Sequence, residues 1–568
     1  MTIHDSRRQT GPGRLLDGPG AALEVHLPPD RHERLVAAWA DDARALADAL
    51  DWVDAPLASR RFARGVSLAV GAPEDALYTA TELNEAAVAR AVARLEGDEP
   101  EPLGTTIARL HDEIERERRP DIVALLRAAE ARGLPCLWDD EDVTLGLGCG
   151  GQSFPLDDLP APDAIDWDTL HAVPTALVTG TNGKSTTVRL LAAMARAAGH
   201  TAGVSTTDYV AVGDETLEAG DFSGPMGARA ALRDRRSTLG ILEAARGGLL
   251  RRGVPFVGAT AAAVTNVAAD HLGDYGVETV EQLAEAKLVV AQALQAGGVL
   301  VLTADDAVST AEADRQAPTL RARGVITAWA SMDPNHPRLA AGGPASAVVD
   351  GELAVRAAGG PWRRLQAVTE VPCTLGGTAR HNVRNALTAL AVGQALGLPD
   401  AALAEGLVRF SDRDNPGRIN RFRLPNGARA VVDYAHNAHG VAAVVETLAA
   451  WTAGRRTLMM SAGGDRSDAD LAAMVRAALP FHADRYLLTD LPGYLRGREP
   501  GEAPSVFARA LHHDGVPEEA CALFPDPPTA VRAALDGIEP DALALLFVLS
   551  HRDAVFEMLR EAGAEPEG

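Results

Sequence analysis

Lysine is almost absent from this chain of 568 residues. Only two of its 54 basic residues are lysine, Lys184 and Lys287, and arginine supplies all the others. Together with heavy use of alanine and glycine, this indicates a codon bias that has replaced each lysine for which arginine can substitute. An ammonium group differs from a guanidinium group in size, in donor geometry and in its ability to lose a proton. We therefore interpret the two lysines as candidates for chemistry that arginine cannot perform.

Several other features are scarce, and each scarcity excludes a class of protein. The four cysteines lie far apart without the spacing of a metal site, which excludes a disulfide scaffold and indicates reduced thiols. The net charge of −24 argues against nonspecific binding to nucleic acid or to anionic membranes. No apolar run reaches the length of about 18 residues that a membrane span requires, and the first residues do not read as a secretory signal. We expect a cytoplasmic protein with neither nucleic-acid nor membrane partners.

Lys184 lies in a glycine-rich turn within the segment TALVTGTNGKSTTVR, residues 175–189. A short apolar strand precedes the turn and a helical pattern follows it, which is the layout of a phosphate-binding loop. In such a loop the backbone amides bind phosphate oxygens, the lysine reaches the β- and γ-phosphates, and a hydroxyl, here Ser185 or Thr186, ligates Mg²⁺. The predicted nucleotide-binding residues are Gly180, Thr181, Asn182, Gly183, Lys184, Ser185 and Thr186.

The shortened loop GTNGKST resembles that of the Mur ligase superfamily, which are ATP-dependent amide ligases. Two further matches follow in the family's order, ILEAARGG at residues 241–248 and VTNVAADH at residues 264–271. The resemblance implies that Glu243 and His271 help to hold magnesium together with Ser185. A glutamate oxygen suits this metal, whereas histidine prefers softer ions, so His271 depends more on the resemblance. The alternative for both residues is a polar cap at the end of a strand.

Lys287 follows in the segment EQLAEAK. In the family that this sequence resembles, the matching lysine is usually carbamylated by CO₂ and becomes an anionic oxygen ligand for a second magnesium. A guanidinium group could not take this modification. The resemblance therefore implies catalytic roles for Lys184, Lys287 and His271, with a carbamylated Lys287 as a metal ligand. The alternative for Lys287 is a surface salt bridge.

Three downstream motifs continue the resemblance, namely HNVRNAL at 381–387, DNPGR at 414–418 and VVDYAHN at 431–437. By analogy, Asn382 and Asn385 share a helical face near the adenine. Arg418 contacts the ATP phosphates, and Asp433 and His436 face the nucleotide. The alternatives are an ordinary amide-rich helix face and a satisfied Asp–His pair at the end of a strand.

Two more segments carry predicted substrate residues. By analogy, the cluster Thr206, Thr207 and Asp208 lies near the acceptor. The loop TDLPGYLRGR at residues 489–498 lies near the incoming amine and contributes Arg496 and Arg498. Solvated turns and loops are the alternatives for both segments.

The resemblance covers roughly residues 173–568 and implies an α/β fold. We predict an N-terminal α+β domain over 1–153, a linker over 154–172 rich in proline and aspartate, a central P-loop ATPase domain with a parallel sheet over 173–413, and a Rossmann-like C-terminal domain over 414–568. In the N-terminal domain, periodicity predicts helices at 31–50 and 83–96 and strands at 66–70 and 143–147.

Within the superfamily, residues 204–287 look most like the Mur-like half of the cyanophycin synthetases, and the first region faintly resembles their N-terminal domain. The 170 or so residues before the P-loop are too few for both a complete ATP-grasp domain and the N-terminal domain that normally precedes it in that family, so we expect the ATP-grasp domain to be missing. The implied function is a ligase that uses MgATP to activate a carboxylate as an acyl phosphate and joins it to an amino-acid amine. We do not expect this chain alone to polymerise cyanophycin.

Two alternatives stay open. One is a ligase of the same fold that acts on another acid, such as a folate, a peptidoglycan precursor or a natural-product precursor. The other is a nucleotide-binding paralogue without turnover that regulates a full-length cyanophycin synthetase-like partner. The expected partners of the ligase itself are a small-molecule or peptide acceptor and an amino acid.

Overall fold

A computed structural model describes residues 2–567, which form four β-sheets. The first is antiparallel, with strand order β1-β2-β4-β3, and packs against three helices that share a core with it. Its elements are β1 (Thr2–Gln9), β2 (Gly20–His26), α1 (His32–Ala49), β3 (Leu57–Phe62), β4 (Gly65–Gly71), α2 (Leu77–Glu96) and α3 (Leu103–Glu117). The helices predicted at 31–50 and 83–96 and the strand predicted at 66–70 are confirmed.

A second small sheet follows, so the region predicted as one α+β domain contains two separate sheets. Its elements are α4 (Pro120–Glu130), β5 (Cys136–Trp138), β6 (Asp142–Leu145) and β7 (Gln152–Pro155). The predicted linker, 154–172, begins inside β7, and the chain forms no further strand or α-helix between β7 and residue 175. Leu159 and Trp167 of this linker pack on the core of α4 and the small sheet. The segment is therefore packed against the fold along its length.

The third sheet has eleven strands in the order β11-β10-β9-β12-β8-β13-β14-β15-β16-β17-β18, of which the seven from β9 to β16 in this order are parallel. The strands are β8 (Thr175–Thr179), β9 (Ala202–Ser205), β10 (Tyr209–Val212), β11 (Glu215–Ala219), β12 (Leu239–Glu243), β13 (Ala259–Val264), β14 (Leu294–Thr303), β15 (Ile326–Ser331), β16 (Ala345–Val349), β17 (Glu352–Arg356) and β18 (Arg363–Ala367). The helices are α5 (Lys184–Ala197), α6 (Pro225–Arg233), α7 (Arg246–Arg252), α8 (Val280–Leu288), α9 (Ala307–Ala322), α10 (Pro337–Ala340), α11 (Arg380–Ala395) and α12 (Asp400–Arg409). Helices cover both faces, which explains the continuous apolar runs of the central strands.

The fourth sheet has seven strands in the order β23-β22-β21-β24-β20-β19-β25, and the first five of these are parallel. The strands are β19 (Asn420–Arg423), β20 (Arg429–Asp433), β21 (Arg456–Ser461), β22 (Arg485–Thr489), β23 (Cys521–Phe524), β24 (Leu543–Phe547) and β25 (Glu565–Pro566). The helices are α13 (Ala438–Ala449), α14 (Asp468–Ala478), α15 (Glu502–His513), α16 (Pro527–Leu535) and α17 (Arg552–Glu561). The α/β fold class inferred from the sequence is confirmed.

Two further observations concern the environment of the chain. All four cysteines are unpaired thiols. Between residues 2 and 567, none of the helices combines the length and the apolar character that crossing a bilayer requires.

The N-terminal sheet docks on the central sheet's loops. Arg64 donates to the carbonyl oxygen of Gly273 at 2.7 Å, and Arg60 forms an ion pair of 2.6 Å with Glu285 on α8. These contacts fix the chain that leads into α8. Because α8 also carries Lys287, the N-terminal sheet supports one wall of the cavity described next.

Candidate functional site

A cavity of about 2340 Å³ lies where the central, C-terminal and N-terminal parts of the chain meet. Its lining includes the loop after β8, the end of β12, the start of α11 and the loop after β20. These loops follow the carboxyl ends of parallel strands, where α/β proteins bind their ligands. Small-molecule pockets usually measure about 300–1,000 Å³, so this cavity has room for a nucleotide and further molecules.

Two glycines shape the loop between β8 and α5. Gly180 has φ 148°, and a Cβ atom there would lie 1.8 Å from the Oγ1 of Thr265. Gly183 has φ 83°, and its Cβ would lie 2.2 Å from the Oδ1 of Asn385. Only glycine fits at either position, because a side chain would be strained and would collide. The loop therefore lies directly against the strand β13 and the helix α11.

Asn266, directly after β13, holds this loop in place. Its Oδ1 accepts from the backbone N–H of Asn182 at 3.0 Å, its carbonyl oxygen accepts from Thr181 N at 2.9 Å, and its Nδ2 donates to Asn182 O at 2.9 Å. The Nζ of Lys184 donates to Thr181 O at 3.1 Å. Asn266 lies within the motif VTNVAADH, and no role was predicted for it from the sequence. An amide that follows the strand next to the P-loop strand is the signal that could have identified it.

Glu243 forms a compact oxygen cluster with two hydroxyl groups. Its carboxylate, which is 2% exposed, accepts from Ser185 Oγ at 2.8 Å and from Thr207 Oγ1 at 2.7 Å. Carboxylate and hydroxyl oxygens are ligands that Mg²⁺ accepts, and this ion normally keeps water and substrate phosphates as its other ligands. The residues present therefore fit magnesium. Thr207, predicted to lie near the acceptor, is a partner of the Glu243 carboxylate.

His271 faces the C-terminal domain. The Nη2 of Arg466 donates to its Nε2 at 3.1 Å, and its Nδ1 lies 3.5 Å from Asp465. Burial and the positive charge of Arg466 lower the pKa of His271, so its ring is neutral at pH 7. Arg466 also pairs with Asp270, whose pKa is depressed because Arg466 and the nearby histidines outweigh the cost of burial.

The predicted metal set is therefore only partly assembled. Ser185 and Glu243 are in contact, whereas the ring nitrogens of His271 face Arg466 and Asp465. Within residues 2–567, no three His, Cys, Asp or Glu side chains come together as a metal site. The physical reason is that Arg466 of the C-terminal domain binds the His271 ring, a contact that the sequence did not predict.

Lys287 is a buried amine on the cavity wall, and its residue is 3% exposed. No hydrogen bond or ion pair joins its Nζ to another residue of the part of the chain that the structure describes. Burial, reinforced by the positive charge of Lys184, lowers the pKa of Lys287 well below its usual value. The salt-bridge alternative fails, because this lysine is buried and has no acidic partner.

The two predicted adenine-side amides are in contact on α11. Asn385 Nδ2 donates to Asn382 Oδ1 at 3.1 Å, and Asn382 Nδ2 donates to the carbonyl oxygen of Cys373 at 2.9 Å. The adjacent His381 has a buried Nδ1 without a hydrogen-bond partner. Arg384 and His439 also line this end of the cavity, and the sequence analysis missed all three of these polar side chains.

Asp433, at the end of β20, organises the loops of the C-terminal domain. Its carboxylate accepts from the backbone N–H groups of Ile419 at 2.9 Å and Ala435 at 2.7 Å. Burial raises the pKa of Asp433 to about 6, although the nearby Arg418 opposes the shift. Arg418 lies 4.3 Å from the centre of the Tyr434 ring and lines the cavity. Asp433 thus positions the backbone on both sides of Arg418.

The predicted acceptor residues Thr206 and Asp208 have structural partners. Thr206 is fully buried, and its Oγ1 accepts from the N–H groups of Asp208 and Tyr209 at 3.1 Å in a tight turn. Asp208 forms ion pairs with Arg189 of α5 and, at 2.7 Å, with Arg552 of α17. Its carboxylate therefore joins the central and C-terminal domains.

The two predicted amine-side arginines differ. Arg496 lines the cavity and pairs with Asp465 at 2.7 Å. Arg498 lies outside the cavity lining and donates to the backbone oxygen of Gly464 at 3.2 Å and to Glu502 at 2.7 Å. Arg498 therefore stabilises the loop that contains Gly464. The spacing of the two arginines in the sequence did not predict this difference between them.

A pH dependence follows from two partly buried histidines, His381 and His436, because desolvation lowers the pKa of each to about 4, against 6.5 in an exposed chain. Below pH 6.5 these histidines bind protons in the unfolded chain but stay neutral in the folded protein. The free energy of unfolding therefore falls as the pH drops from 6.5 to 4. We expect thermal midpoints measured at pH 7 and 5 to differ less in the His381→Gln/His436→Gln variant than in the parent. The control is the exposed pair His111→Gln/His513→Gln. If the difference between the two thermal midpoints were unchanged in His381→Gln/His436→Gln, these two histidines would not be the source of the pH dependence.

Comparison with known proteins gives family matches over most of the chain. A family model described as the Mur ligase middle domain matches residues 178–393, and one described as the Mur ligase, glutamate ligase domain, matches residues 417–547. Cyanophycin synthetase of Synechocystis sp. is 35% identical over 394 residues, which is 68% of this chain and 44% of that protein. The chain thus spans less than half the length of that relative.

Two other similarities are more distant. A UDP-N-acetylmuramate–L-alanine ligase of Kineococcus radiotolerans is 35% identical over 291 residues, or 50% of this chain and 52% of that protein. The structure of E. coli FolC in complex with ADP, without folate substrate, covers 68% of this chain and 89% of FolC, with 19% identity and a TM-score of 0.50. This structural likeness supports the fold alone.

Proposed function

Since the chain belongs to the Mur ligase superfamily, we propose that it uses ATP to activate a carboxylate and joins it to an amino-acid amine. One observation carries the proposal. The glycine loop with Lys184 faces the Ser185–Glu243 oxygen pair in a cavity that Arg418 also lines from the C-terminal domain. These are the parts that phosphoryl transfer from a nucleotide needs.

The reaction has two steps. The acceptor carboxylate attacks the γ-phosphate of ATP in line, which gives an acyl phosphate and ADP. The amine then attacks the acyl carbon, and phosphate leaves as the amide bond forms. The Lys184 side chain and the N–H groups of Gly183 and of the first turn of α5 bind the phosphate oxygens, because Asn266 already accepts from the N–H groups of Thr181 and Asn182. Arg418, which lines the cavity from the C-terminal domain, adds a further positive charge. Asn382 and Asn385 place the adenine.

Magnesium fits beside Glu243, and Ser185 with Thr207 would complete the protein's share of its ligands. When bound, the ion neutralises charge on the transferring phosphate. Both hydroxyl groups donate to the buried carboxylate, so the oxygen atoms of the three side chains lie close together.

We also propose that Lys287 is carbamylated. Its neutral Nζ attacks CO₂, one N–C bond forms, one proton leaves, and the product carries a negative charge on two oxygens. Lys184 and Arg246 are the cationic neighbours whose charges lower the pKa of the free amine, and the same charges stabilise the anion. The proposal assigns His271 and the carbamate to a second magnesium, which requires the His271 ring to leave Arg466.

The incoming amino acid is the second substrate of the proposed reaction. We place the carboxylate of the incoming amino acid near Arg496, the cavity-lining member of the late loop. We propose a single ligation by this chain, carried out at the cavity that holds the phosphate loop, and no polymerisation of cyanophycin by it alone. ATP-dependent ligation of this kind belongs in the cytoplasm.

The test combines phosphate release with product mass. The purified protein is incubated with MgATP, each amino acid in turn and a set of acidic acceptors that includes aspartate-containing peptides. We expect one pairing to release phosphate and to give a product heavier than the acceptor by one amino acid less water. Nucleotide binding with no turnover for any pairing would favour the regulatory alternative over the ligase.

A further inference from the structure

The cavity continues well beyond the P-loop and becomes rich in arginine. Arg119, Arg127 and acidic residues of the N-terminal region also line this distal part, and four further arginines lie next to one another there; we call these four the distal arginine cluster. They are Arg8 of β1, Arg229 of α6, and Arg251 and Arg252 of α7. Elements of two sheets therefore contribute to one positively charged wall, in a chain whose net charge is −24.

The cluster is rigidly built at the contact between β1 and α7. Arg252 Nη1 donates to the carbonyl oxygen of Arg8 at 2.9 Å, and the carbonyl oxygen of Arg252 accepts from Gly11 N at 3.1 Å. Gly253 has φ 80°, and a Cβ there would lie 2.3 Å from Gly11 O. This close approach fixes Arg8 and Arg252 relative to each other without either guanidinium forming an ion pair.

The positive charges of the cluster are poorly compensated. Within residues 2–567, Arg8, Arg251 and Arg252 have no ion-pair partner, and Arg8 stacks at 3.9 Å on the ring of Tyr78. Burial and the charges of the other cluster members lower the pKa of Arg252. Three neighbouring cations that line a cavity without carboxylate partners of their own are arranged for an anion that comes from outside.

The member with an acidic neighbour is Arg229. Its Nε is buried without a hydrogen bond, although it lies 3.4 Å from Asp139. Asp139 makes its closer contact, of 2.5 Å, with Arg233, and Asp140 adds a further negative charge nearby. Among the four cluster members, only Arg229 has its charge offset by these two carboxylates. Its Nε–H group still has no hydrogen-bond acceptor.

The length of α7 gives the approximate distance between the cluster and the proposed reaction centre. This helix begins at Arg246, soon after Glu243, and ends at Arg252. Seven helical residues at 1.5 Å each extend about 10 Å. A bound molecule that reaches both ends of α7 must therefore span about three extended residues of a peptide.

We propose that the distal arginine cluster binds a second anionic group of the acceptor, a carboxylate or a phosphate, about 10 Å from the carboxylate that reacts. The inference rests on the proposed function and names the acceptor class for it, namely an elongated acid with two separated negative groups. Guanidinium groups bind such groups with paired hydrogen bonds. An acceptor without the second anion would leave the cluster unpaired.

The test uses three blocked tetrapeptides, each acetylated at the N-terminus and amidated at the C-terminus. They are Asp-Gly-Gly-Asp, Asp-Gly-Gly-Asn and Asp-Gly-Gly-phosphoserine, and binding to the full chain is measured by calorimetry with and without Mg²⁺ and a non-hydrolysable ATP analogue. We expect the two peptides with a distal anion to bind at least about 10-fold more tightly than the asparagine peptide. Whichever of the two binds more tightly identifies the distal group as carboxylate or phosphate.

The variant Arg251→Gln/Arg252→Gln should abolish that preference. The matched control is Arg44→Gln/Arg476→Gln, which removes the same charge from exposed positions outside the cavity. If the double variant fails to fold, Arg251→Gln alone, at an exposed side chain, should reduce the preference.

Equal binding of the three peptides, a preference that survives in the variants, or no binding at 1 mM would each overturn the inference. Failure of the ATP analogue to bind would instead contradict the proposed function. The two failures are therefore distinguishable.

Discussion

Replacement of Lys184 by alanine is expected to lower ATP-dependent phosphate release by at least about 100-fold. Removing one donor that stabilises charge in a transition state costs about 10²–10³ in turnover, and Lys184 is the cation within the phosphate loop. Its Nζ now donates to Thr181 O at 3.1 Å, a contact that a phosphate oxygen can replace. The measurement is phosphate release under saturating MgATP with the active substrate pair.

The control for this prediction lies on the same helix. Arg196→Ala removes an exposed cation at the far end of α5 and should leave the rate within twofold. Lys184→Arg should be nearly as damaging as alanine, because the loop is fitted to a slender amine. Activity of Lys184→Ala close to that of the parent would remove the phosphate loop from the mechanism.

Replacement of Lys287 by arginine is expected to lower turnover by about 10- to 100-fold, because a guanidinium group cannot be carbamylated. Losses of this size are typical when a group that supports a metal site is removed. In the parent protein, removal of dissolved CO₂ should cause a comparable loss, and added bicarbonate should reverse it. The variant's residual rate should not respond to bicarbonate.

A second measurement keeps the Lys287 prediction independent of turnover. With ¹³C-labelled bicarbonate, the parent should show a carbamate carbon signal by NMR, and Lys287→Arg should not. Circular dichroism shows whether the buried site tolerates the larger side chain. Full activity of Lys287→Arg, or no carbamate signal in the parent, would contradict both the carbamate and the codon-bias argument.

Local sequence predicted the centre of the site well. The phosphate loop could be predicted because its strand, its glycines and its helix are contiguous at residues 175–189. Glu243 and Asp433 could be predicted because each ends a short apolar strand, and parallel strands bring their carboxyl ends to one edge. The roles of these residues stay predictions, whereas their placement on the cavity is observed.

Contacts between domains could not be predicted. Asp208 pairs with Arg552, which is 344 residues away in the sequence, and Arg466 approaches both Asp270 and His271 from another sheet. Such pairs leave no periodic or local signal, because their geometry depends on how two folded units meet. For the same reason the ion pairs of Asp208 could not be predicted, whereas the acceptor role proposed for this cavity-lining residue stays a prediction.

The N-terminal part was predicted least completely. The helices α1 and α2 were recognised from their apolar spacing, but α3, α4 and the division into two sheets were not. No functional role was predicted for Arg8, because no motif of known chemistry marks its position in β1. Its importance emerges only when the docking of β1 on α7 brings it beside Arg252.

The central claim is that an acceptor carboxylate is activated by phosphorylation, and an isotope experiment tests it most directly. An acceptor labelled with ¹⁸O in its reacting carboxylate is converted with MgATP and the amino acid, and the released phosphate is analysed by mass spectrometry. The account predicts one ¹⁸O atom in each phosphate, because the acyl phosphate breaks at its carbon–oxygen bond. Unlabelled phosphate, with the label retained in the product or lost to AMP, would contradict it.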